Sequence, residues 1–519
     1  MSIHTYLSRR GIPYLPPLPG FTYFLSVTLV GTMGINSCSV EESTDPNIIF
    51  IMADDLGYHD LAGYGQNLFP TPATDQLVQE GMRFTNTLTP SAVCSPTRYG
   101  VLTGTDPFRQ YHTSHVLFNG EPLVVGEQEA TIASLLQQNG YRTGVIGKWH
   151  LGLGDSLPRD INHPGRGPNN IGFDYSFLVP DGHNMYPRYY IENGKSVGNP
   201  DYYYSSEIVI LDRVGYKLIQ HIPDDEWENR RPDNEISTVI ADKADAFIEE
   251  NKDKKFFLYY PTHSIHRPYT PGPRFFGKSQ IGPLIDFIME FDWKVGRIMD
   301  TLDRLGLTDN TIVIVTSDNG GFGSGRVRNY QDEQVDHQPT FPWRGNKGTA
   351  YEGGHRVPFI VRWPGHTKPG SESDETISLV DITATLSDIT GISLQPSDAL
   401  DSFSFLPVLL GKDYGDRIRP YTVTGTRGMV HLAIREGPWK LIYAPESREA
   451  ELYHLDDDPQ ESKNIADLNP ELTEKMIALL TNYIESGHSR PDAKGSGHTF
   501  EELFRQREAR NQLINQQFE

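Results

Sequence analysis

The chain has 519 residues, 37% of them hydrophobic, 22% charged and 11% aromatic, enough to bury a core in one large domain or several. Forty-six basic residues against 68 acidic ones give a formal charge of −22. This excludes a general nucleic-acid binder and gives no electrostatic reason to dock on an anionic membrane, although an anionic substrate stays open wherever a pocket is locally basic. Only two cysteines occur, far apart, so neither a disulfide framework nor structural zinc is expected.

Arg9 and Arg10 precede an apolar run from Phe21 to Val30, then Ile35-Asn36-Ser37-Cys38. The run is short for a membrane span and reads as a secretory signal. A small residue directly before Cys38 fits a lipoprotein processing site, with Asn36 an imperfect match. The alternatives are cleaved soluble export and an uncleaved anchor. Residues 1–45 are therefore set apart as signal and tether, and the expected location is the periplasm or cell surface, with membrane contact only through a lipid on Cys38.

Asn47 to Ala53 is a continuous apolar run that ends in Asp54-Asp55, as a strand buried on both faces should. A short helix near Ala73–Glu80 follows, then a helix carrying Cys94, and an amphipathic helix over Ala130–Asn139 closed by Gly140. Tyr141 to His150 reads as a second strand. Residues 155 to about 235, rich in Pro, Gly, Asn and Tyr, read as an elaborated loop region. Helices over Ile236–Asn251, Leu284–Leu305 and Leu379–Thr390 alternate with strands over Lys255–Tyr260, Thr311–Thr316 and Pro358–Trp363.

Such alternation predicts an α/β fold with a large, mainly parallel sheet between helices. In such sheets the site lies at the carboxyl ends of the strands. Four of these ends carry Asp54-Asp55, Lys148-x-His150, His266 and Asp318-Asn319. Beyond about residue 395 short alternating segments (421–424, 429–435, 439–444, 451–459) and a helix over Pro470–Glu485 predict a smaller α+β subdomain on a short antiparallel sheet. The division is 46–395 and 396–519, with a polar tail from Ser486 crossing back over the surface.

The stretch Ser91-Ala92-Val93-Cys94-Ser95-Pro96-Thr97-Arg98 carries the sharpest chemistry. Pro96 suits the first turn of a helix. This places Cys94 just ahead of the helix N-terminus, with Arg98 on the same side. Cys94 is then either a nucleophile or anion-site residue, or a buried structural cysteine beside a capped helix. Asp54, Asp55, Asp318 and Asn319 make an all-oxygen donor set, suited to calcium or magnesium; a single such acidic pair is otherwise a solvated loop. Lys148 and His150, two apart on an extended backbone, point to one side, for an anion and a proton respectively. Lys347 lies in a glycine-rich loop, Trp343 to Gly354, which lacks the spacing of a phosphate loop.

Cys94-Ser95-Pro96-Thr97-Arg98 followed by Leu102-Thr103-Gly104 resembles the signature of the type I sulfatases of the alkaline phosphatase superfamily. Asp54-Asp55, Gly147-Lys148-Trp149-His150-Leu151-Gly152, His266-Arg267-Pro268, Ser317 to Gly320, and Gly345-Asn346-Lys347 with Glu352-Gly353-Gly354 resemble that family's further motifs in order, over about residues 46–485. The resemblance implies an alkaline phosphatase-like fold and a sulfuric ester hydrolase. It implies that a maturation enzyme oxidises Cys94 to formylglycine, whose hydrate is the nucleophile. Asp54, Asp55, Asp318, Asn319 and the modified Cys94 would bind one calcium ion. Lys148, Lys347 and His266 would hold the sulfate, Arg98 would brace the nucleophile, His266 or Lys347 would protonate the leaving alcohol, and His150 would release the sulfate. Export favours an extracellular sulfated glycan of carrageenan, ulvan, fucoidan or glycosaminoglycan type. Asp181, His183, Arg188 and His263 are expected to touch it, with Tyr186 and Tyr189 in the same insertion. A phosphate or phosphonate ester hydrolase on the same fold, and a non-catalytic glycan-binding lipoprotein, are the rival readings.

Overall fold

The run Asn47–Ala53 forms strand β1, and every residue of it is buried. Ile48, Phe50 and Met52 pack into one apolar cluster, and Ile49, Ile51 and Ala53 into a second on the opposite face. A strand covered on both faces needs no polar alternation, which explains the unbroken apolar run. The computed structural model describes residues 45–117, 121–155, 164–183, 189–197, 233–323, 328–331 and 333–518.

After β1 come α1 (Pro72–Glu80), β2 (Met82–Leu88), α2 (Cys94–Thr103), α3 (Ile132–Gln138), β3 (Arg142–Lys148), β4 (Tyr175–Val179), β5 (Tyr190–Glu192) and β6 (Lys195–Val197). Then follow α4 (Ile236–Glu250), β7 (Phe256–Pro261), α5 (Pro283–Leu305), β8 (Thr311–Ser317), α6 (Glu352–His355), β9 (Arg356–Arg362), β10 (Ser371–Ser373), β11 (Ile377–Ser378), α7 (Ile382–Ile389) and α8 (Leu406–Leu409). The chain closes with β12 (Thr422–Gly425), β13 (Leu432–Glu436), β14 (Trp439–Ala444), β15 (Glu449–His454), α9 (Pro470–Ser486) and α10 (Phe500–Phe518).

Among the described residues, β1–β11 make one sheet in the order β10-β2-β9-β8-β1-β7-β3-β4-β5-β6, with β11 on β2. β8, β1, β7, β3 and β4 are mutually parallel neighbours. The α/β class with a mainly parallel sheet and a separate small antiparallel sheet is therefore as read from the sequence. The strands that end in Asp318, Asp54, His266 and Lys148 are consecutive in space, so their carboxyl ends meet along one edge.

Four details differ from the sequence reading. β9 runs antiparallel to both β8 and β2, because the long connection from β8, which carries Lys347 and α6, returns at the same end of the sheet without crossing over it. Tyr175–Val179, placed in the loop region, is a strand hydrogen-bonded to β3; its neighbours, not its own pattern, bury it. The tail holds a helix, α10, rather than running as a polar strip. Cys94 is the first helical residue of α2, not the one ahead of it, because extended Val93 takes the cap position.

β12–β15 form the small antiparallel sheet, backed by α9. Its edge reaches the segment just before Cys94 directly. Gly425 donates its N–H to the Pro90 carbonyl (2.9 Å) and accepts from Ala92 N–H (3.0 Å). A buried ion cluster joins the same two sheets. Glu352 accepts from Lys440 Nζ on β14 (2.9 Å) and from Arg356 Nε (3.0 Å), while Glu461 takes Lys440 Nζ at 2.7 Å and the Glu352 backbone N–H at 2.7 Å.

Burial pushes the Glu352 carboxyl up, but Lys440, Arg356 and Arg435 outweigh it and hold it well below the ordinary carboxylate range. A depressed folded-state carboxyl contributes stability that is complete above its unfolded value and is lost as pH falls below it. Denaturant midpoints measured from about pH 6 to pH 3 should therefore fall, and Glu352→Gln should be less stable at neutral pH with a shallower fall on acidification. Lys440→Met, which leaves two buried carboxylates without their shared cation, should lose about 3–5 kcal/mol of stability at pH 7.

Candidate active site

The backbone fixes the two acids at the end of β1 before any side chain acts. Asp54 N–H donates to the Ser264 carbonyl and the Asp54 carbonyl accepts from Ile265 N–H, both at 2.7 Å. Asp55 adopts φ 70°, a left-handed turn that sends consecutive carboxylates into one space. Asp318 N–H donates to the Ala53 carbonyl (3.1 Å), which aligns the end of β8 beside them. At the end of β3, Gly147 has φ 128°, and a Cβ there would lie 2.0 Å from the Pro261 carbonyl oxygen. Only glycine lets β3 pass β7 this closely and deliver Lys148.

The side chains then interlock. Lys148 Nζ donates to Asp54 Oδ2 (2.6 Å). Arg98 Nη2 and Nε donate to Asp318 Oδ2 (2.6 and 3.1 Å), Nη1 donates to the Lys148 carbonyl (3.1 Å), and Nη2 lies 3.6 Å from Asp54 Oδ1. Lys347 Nζ binds Asp55 Oδ1 and sits 3.3 Å from Cys94 Sγ, which lies 3.4 Å from Asp54 Oδ1. Asn319 Nδ2 donates to Asp55 Oδ1 (2.9 Å), and His266 Nε2 lies 4.0 Å from Asp55 Oδ2. Nearly all of this is shut away from water. Three buried carboxylates are thus answered by Arg98, Lys148 and Lys347; without such partners, removing a charge from water would cost several kcal/mol.

The electrostatics follow. Burial raises the Asp54 carboxyl, yet Lys148, His266, Arg98 and Lys347 together hold it well below its ordinary value. Burial and the Asp54 charge push Asp318 up to about 6, against the pull of Arg98 and Lys148. Burial, then Asp318, push the Cys94 thiol well up, so the unmodified side chain is a neutral thiol. Burial lowers His266 to about 4, with Asp54 opposing. An anion brought beside it would favour its protonated form. Burial, then Lys148 and Arg98, hold His150 well down. His150 Nε2 faces the Leu117 carbonyl at 3.0 Å. A carbonyl only accepts, so Nε2 carries the proton and Nδ1 is left as a base; Nδ1 has no hydrogen-bond partner among the described residues.

The donor set fits a hard divalent cation. One ligand atom each from Asp54, Asp55, Cys94 and His266 lies within 4.8 Å of the others. Beside them Asn319 Oδ1 is buried with no partner among the described residues, an orphan oxygen that a cation would satisfy. Asp318 stands at the rim of this set, one oxygen on Arg98 and the other accepting from Asp55 N–H (3.1 Å).

The substrate-side residues separate. His183 stands edge-on to His266 (ring centroids 5.8 Å apart) and to His263 (5.2 Å), and its Nε2 meets the Pro268 carbonyl at 2.9 Å. His263 is fully enclosed against Phe287. Asp181 and Tyr189 are buried. Arg188 and Tyr186 lie outside the described residues.

Sequence reasoning missed Lys294. This lysine sits on the buried stripe of α5 with Phe287, Phe291 and Ile298, and is itself fully buried. Its Nζ binds Ser264 Oγ and donates to Ser237 Oγ (3.0 Å), which donates to Glu290 Oε2 (2.8 Å). Glu290 Oε1 accepts from Gly272 N–H (3.0 Å). The pair therefore straps both ends of the 264–272 loop, whose Ser264 and Ile265 hold Asp54 and whose His266 reaches the site. A lysine inside an apolar helical stripe was the available signal.

Residues 46–392 match the family model described as Sulfatase, and residues 343–487 that described as N-sulphoglucosamine sulphohydrolase, C-terminal. An N-acetylgalactosamine-6-O-sulfatase of Bacteroides thetaiotaomicron is 38% identical over 507 residues, covering 90% of this chain and 98% of the relative. Human arylsulfatase A is 32% identical over 472 residues, covering 85% and 88%. A structure solved under the metabolism of multiple glycosaminoglycans by Bacteroides thetaiotaomicron superposes with a TM-score of 0.75 at 36% identity, covering 84% of this chain and 99% of the other.

Replacing Lys294 by Met should leave the folded chain intact by circular dichroism, but raise the half-saturating concentration of divalent cation or lower kcat by about 10–100-fold, the usual effect of removing a group that orients metal ligands. An activity titration with calcium after chelation separates this from simple destabilisation, which would alter neither in the protein that remains folded.

Proposed function

The chain belongs to the sulfatase family, as a type I sulfatase of the alkaline phosphatase superfamily, and we propose that it is exported and removes O-sulfate from an extracellular sulfated carbohydrate through a formylglycine made from Cys94. The observation that carries this reading is the meeting of Cys94 with Asp54, Asp55, Asp318, Lys148 and Lys347 at the ends of adjacent parallel strands. A phosphonate monoester hydrolase of Agrobacterium radiobacter shares the fold at 20% identity and a TM-score of 0.57; that likeness concerns the fold alone.

Asp54, Asp55 and Asn319, with Asp318 and residue 94 alongside, would hold a calcium ion, which would supply fixed positive charge where negative charge develops on the sulfate. Residue 94 as a hydrated aldehyde would offer a nucleophilic oxygen and a second hydroxyl, which a thiol lacks. Lys148 and Lys347 present two further cations to the sulfate oxygens. Arg98 keeps Asp318 ionised and aligned, so that Asp318 can receive a proton from residue 94. His266 stands at the mouth, where its Nε2 delivers a proton to the departing alcohol, a role Lys347 could share. His150 Nδ1 then takes the proton whose loss frees the sulfate.

The substrate class follows the relatives. The Bacteroides enzyme named for 6-O-sulfated N-acetylgalactosamine is similar over almost the whole of both chains, and this makes that sugar the first to try. Of the residues expected to touch it, His183 lies edge-on to His266, and this supports a role for it on the sugar side. Location belongs to the same proposal: Arg9 and Arg10, the apolar run to Val30 and Cys38 support export with a lipid on Cys38.

Peptide mass spectrometry of protein coexpressed with a formylglycine-generating enzyme should find an aldehyde at residue 94, captured by an aldehyde-trapping reagent. A retained thiol, under conditions that convert a control sulfatase, would overturn the nucleophile assignment. Cys94→Ala should lower kcat by at least about 10⁴-fold. Chelation should abolish activity, and added calcium should restore it. Native protein should partition into detergent, and Cys38→Ala should return it to the aqueous phase.

A further inference from the structure

The loop that leaves β7 and enters α5 lies on the same end of the sheet as the active site, because α5 returns antiparallel to the strands and starts where they finish. It forms a shallow cavity of about 560 Å³ lined by Pro273, Arg274, Phe275, Lys278 and Met289. Arg274 lies over the Trp293 ring, 5.0 Å from its centroid, and Phe275 packs beside Trp293 at 5.5 Å. Phe276 is 62% exposed.

We propose that this cavity is a subsite for an anionic sugar of an extended sulfated glycan, beyond the sugar whose sulfate is cleaved; this rests on the sulfatase reading above. Charge is the first ground. The chain carries −22 overall and repels a polyanion at long range, so capture needs local cations. Arg274 and Lys278 are exposed, and neither is ion-paired to a carboxylate among the described residues. Arg297, which also lies over the Trp293 ring, is by contrast engaged by Asp242 and Asp245.

The second is chemistry. Sulfate and carboxylate groups meet guanidinium and ammonium, and the flat apolar faces of sugar rings stack on aromatic side chains. Cations beside Phe275 and Trp293 supply both together. The third is preorganisation. Asp286, buried in the first turn of α5, accepts backbone N–H bonds from Gly277 and Ser279 (2.7 Å for Ser279) and a bond from Tyr330 Oη. The loop is thus already shaped, so binding need not order it. Arg274 lies eight positions along the chain from His266, a span of at most about 29 Å fully extended, within the reach of an extended glycan held by its terminal sulfate in the active site.

The test compares two substrates of the mature, full-length enzyme: 6-O-sulfated N-acetylgalactosamine, and a sulfated tetrasaccharide that ends in the same sugar. For the double variant Arg274→Ala/Lys278→Ala, KM for the tetrasaccharide should rise about tenfold while kcat/KM for the monosaccharide stays unchanged. Phe275→Ala should act in the same direction. An equal loss on both substrates, or none on the tetrasaccharide, overturns the subsite. If the wild-type enzyme cleaves neither, the sulfatase reading of the substrate fails instead. Binding of fluorescent chondroitin 6-sulfate tetrasaccharide to the Cys94→Ala chain then decides the subsite alone. Salt-sensitive binding lost in the Arg274→Ala/Lys278→Ala background supports it, and binding unchanged by those substitutions, or absent, overturns it.

Discussion

Asp54 is buried, charged and surrounded, and the rest of the site is arranged around that fact. Its carboxylate faces Lys148, Arg98, Lys347 and His266 at once. A lone carboxylate in that position would take up a proton rather than stay charged; the opposing cations are what keep it an anion. The same cations then have nowhere else to be. Lys148 must come off β3 at this depth, Arg98 must rise from the first turns of α2, and Lys347 must reach in from its glycine-rich loop. The charge balance therefore dictates the relative placement of four separate chain segments, and its disruption would leave buried charge unanswered.

What holds these segments is largely backbone and largely remote from the chemistry. Asp54 is clasped by the Ser264 and Ile265 peptide groups, and those are strapped to α5 by Lys294 and Glu290. The residues just before Cys94 are laddered to Gly425 of the small sheet, and the Ala92 carbonyl accepts from Gly348 N–H, next to Lys347. The small sheet is in turn pinned to α6 by Glu352, Lys440 and Glu461. The C-terminal region thus acts as the outer wall that presses the Cys94 segment and the Lys347 loop together. Such double support is what an enzyme needs if groups are to hold their positions as negative charge builds on the departing ester oxygen.

Much of this was legible in one dimension because each key residue sits at a place where local pattern changes. Asp54-Asp55, Lys148, His266 and Asp318-Asn319 each follow an apolar run, and a run that ends in acids or bases announces a strand end. Cys94 with Pro96 and Arg98 announces a helix start. Tyr175–Val179 was not legible, since five residues between glycine-rich loops carry no period of their own and become a strand only by pairing with β3. The reversed direction of β9 was equally hidden, because strand direction depends on what the connection packs against, not on the strand.

Which residue types would carry the chemistry, their order, the α/β class and membership of the sulfatase family came from the sequence alone, because short motifs and apolar periodicity are local properties. The tertiary structure decided which charges answer one another. It turned Asp318 toward Arg98, put the His150 proton on Nε2 through the Leu117 carbonyl, tucked His263 behind His183, and made Lys294 a strap rather than a surface lysine. These are contacts between residues tens to hundreds of positions apart, and their strength depends on burial, which no local pattern of residues encodes.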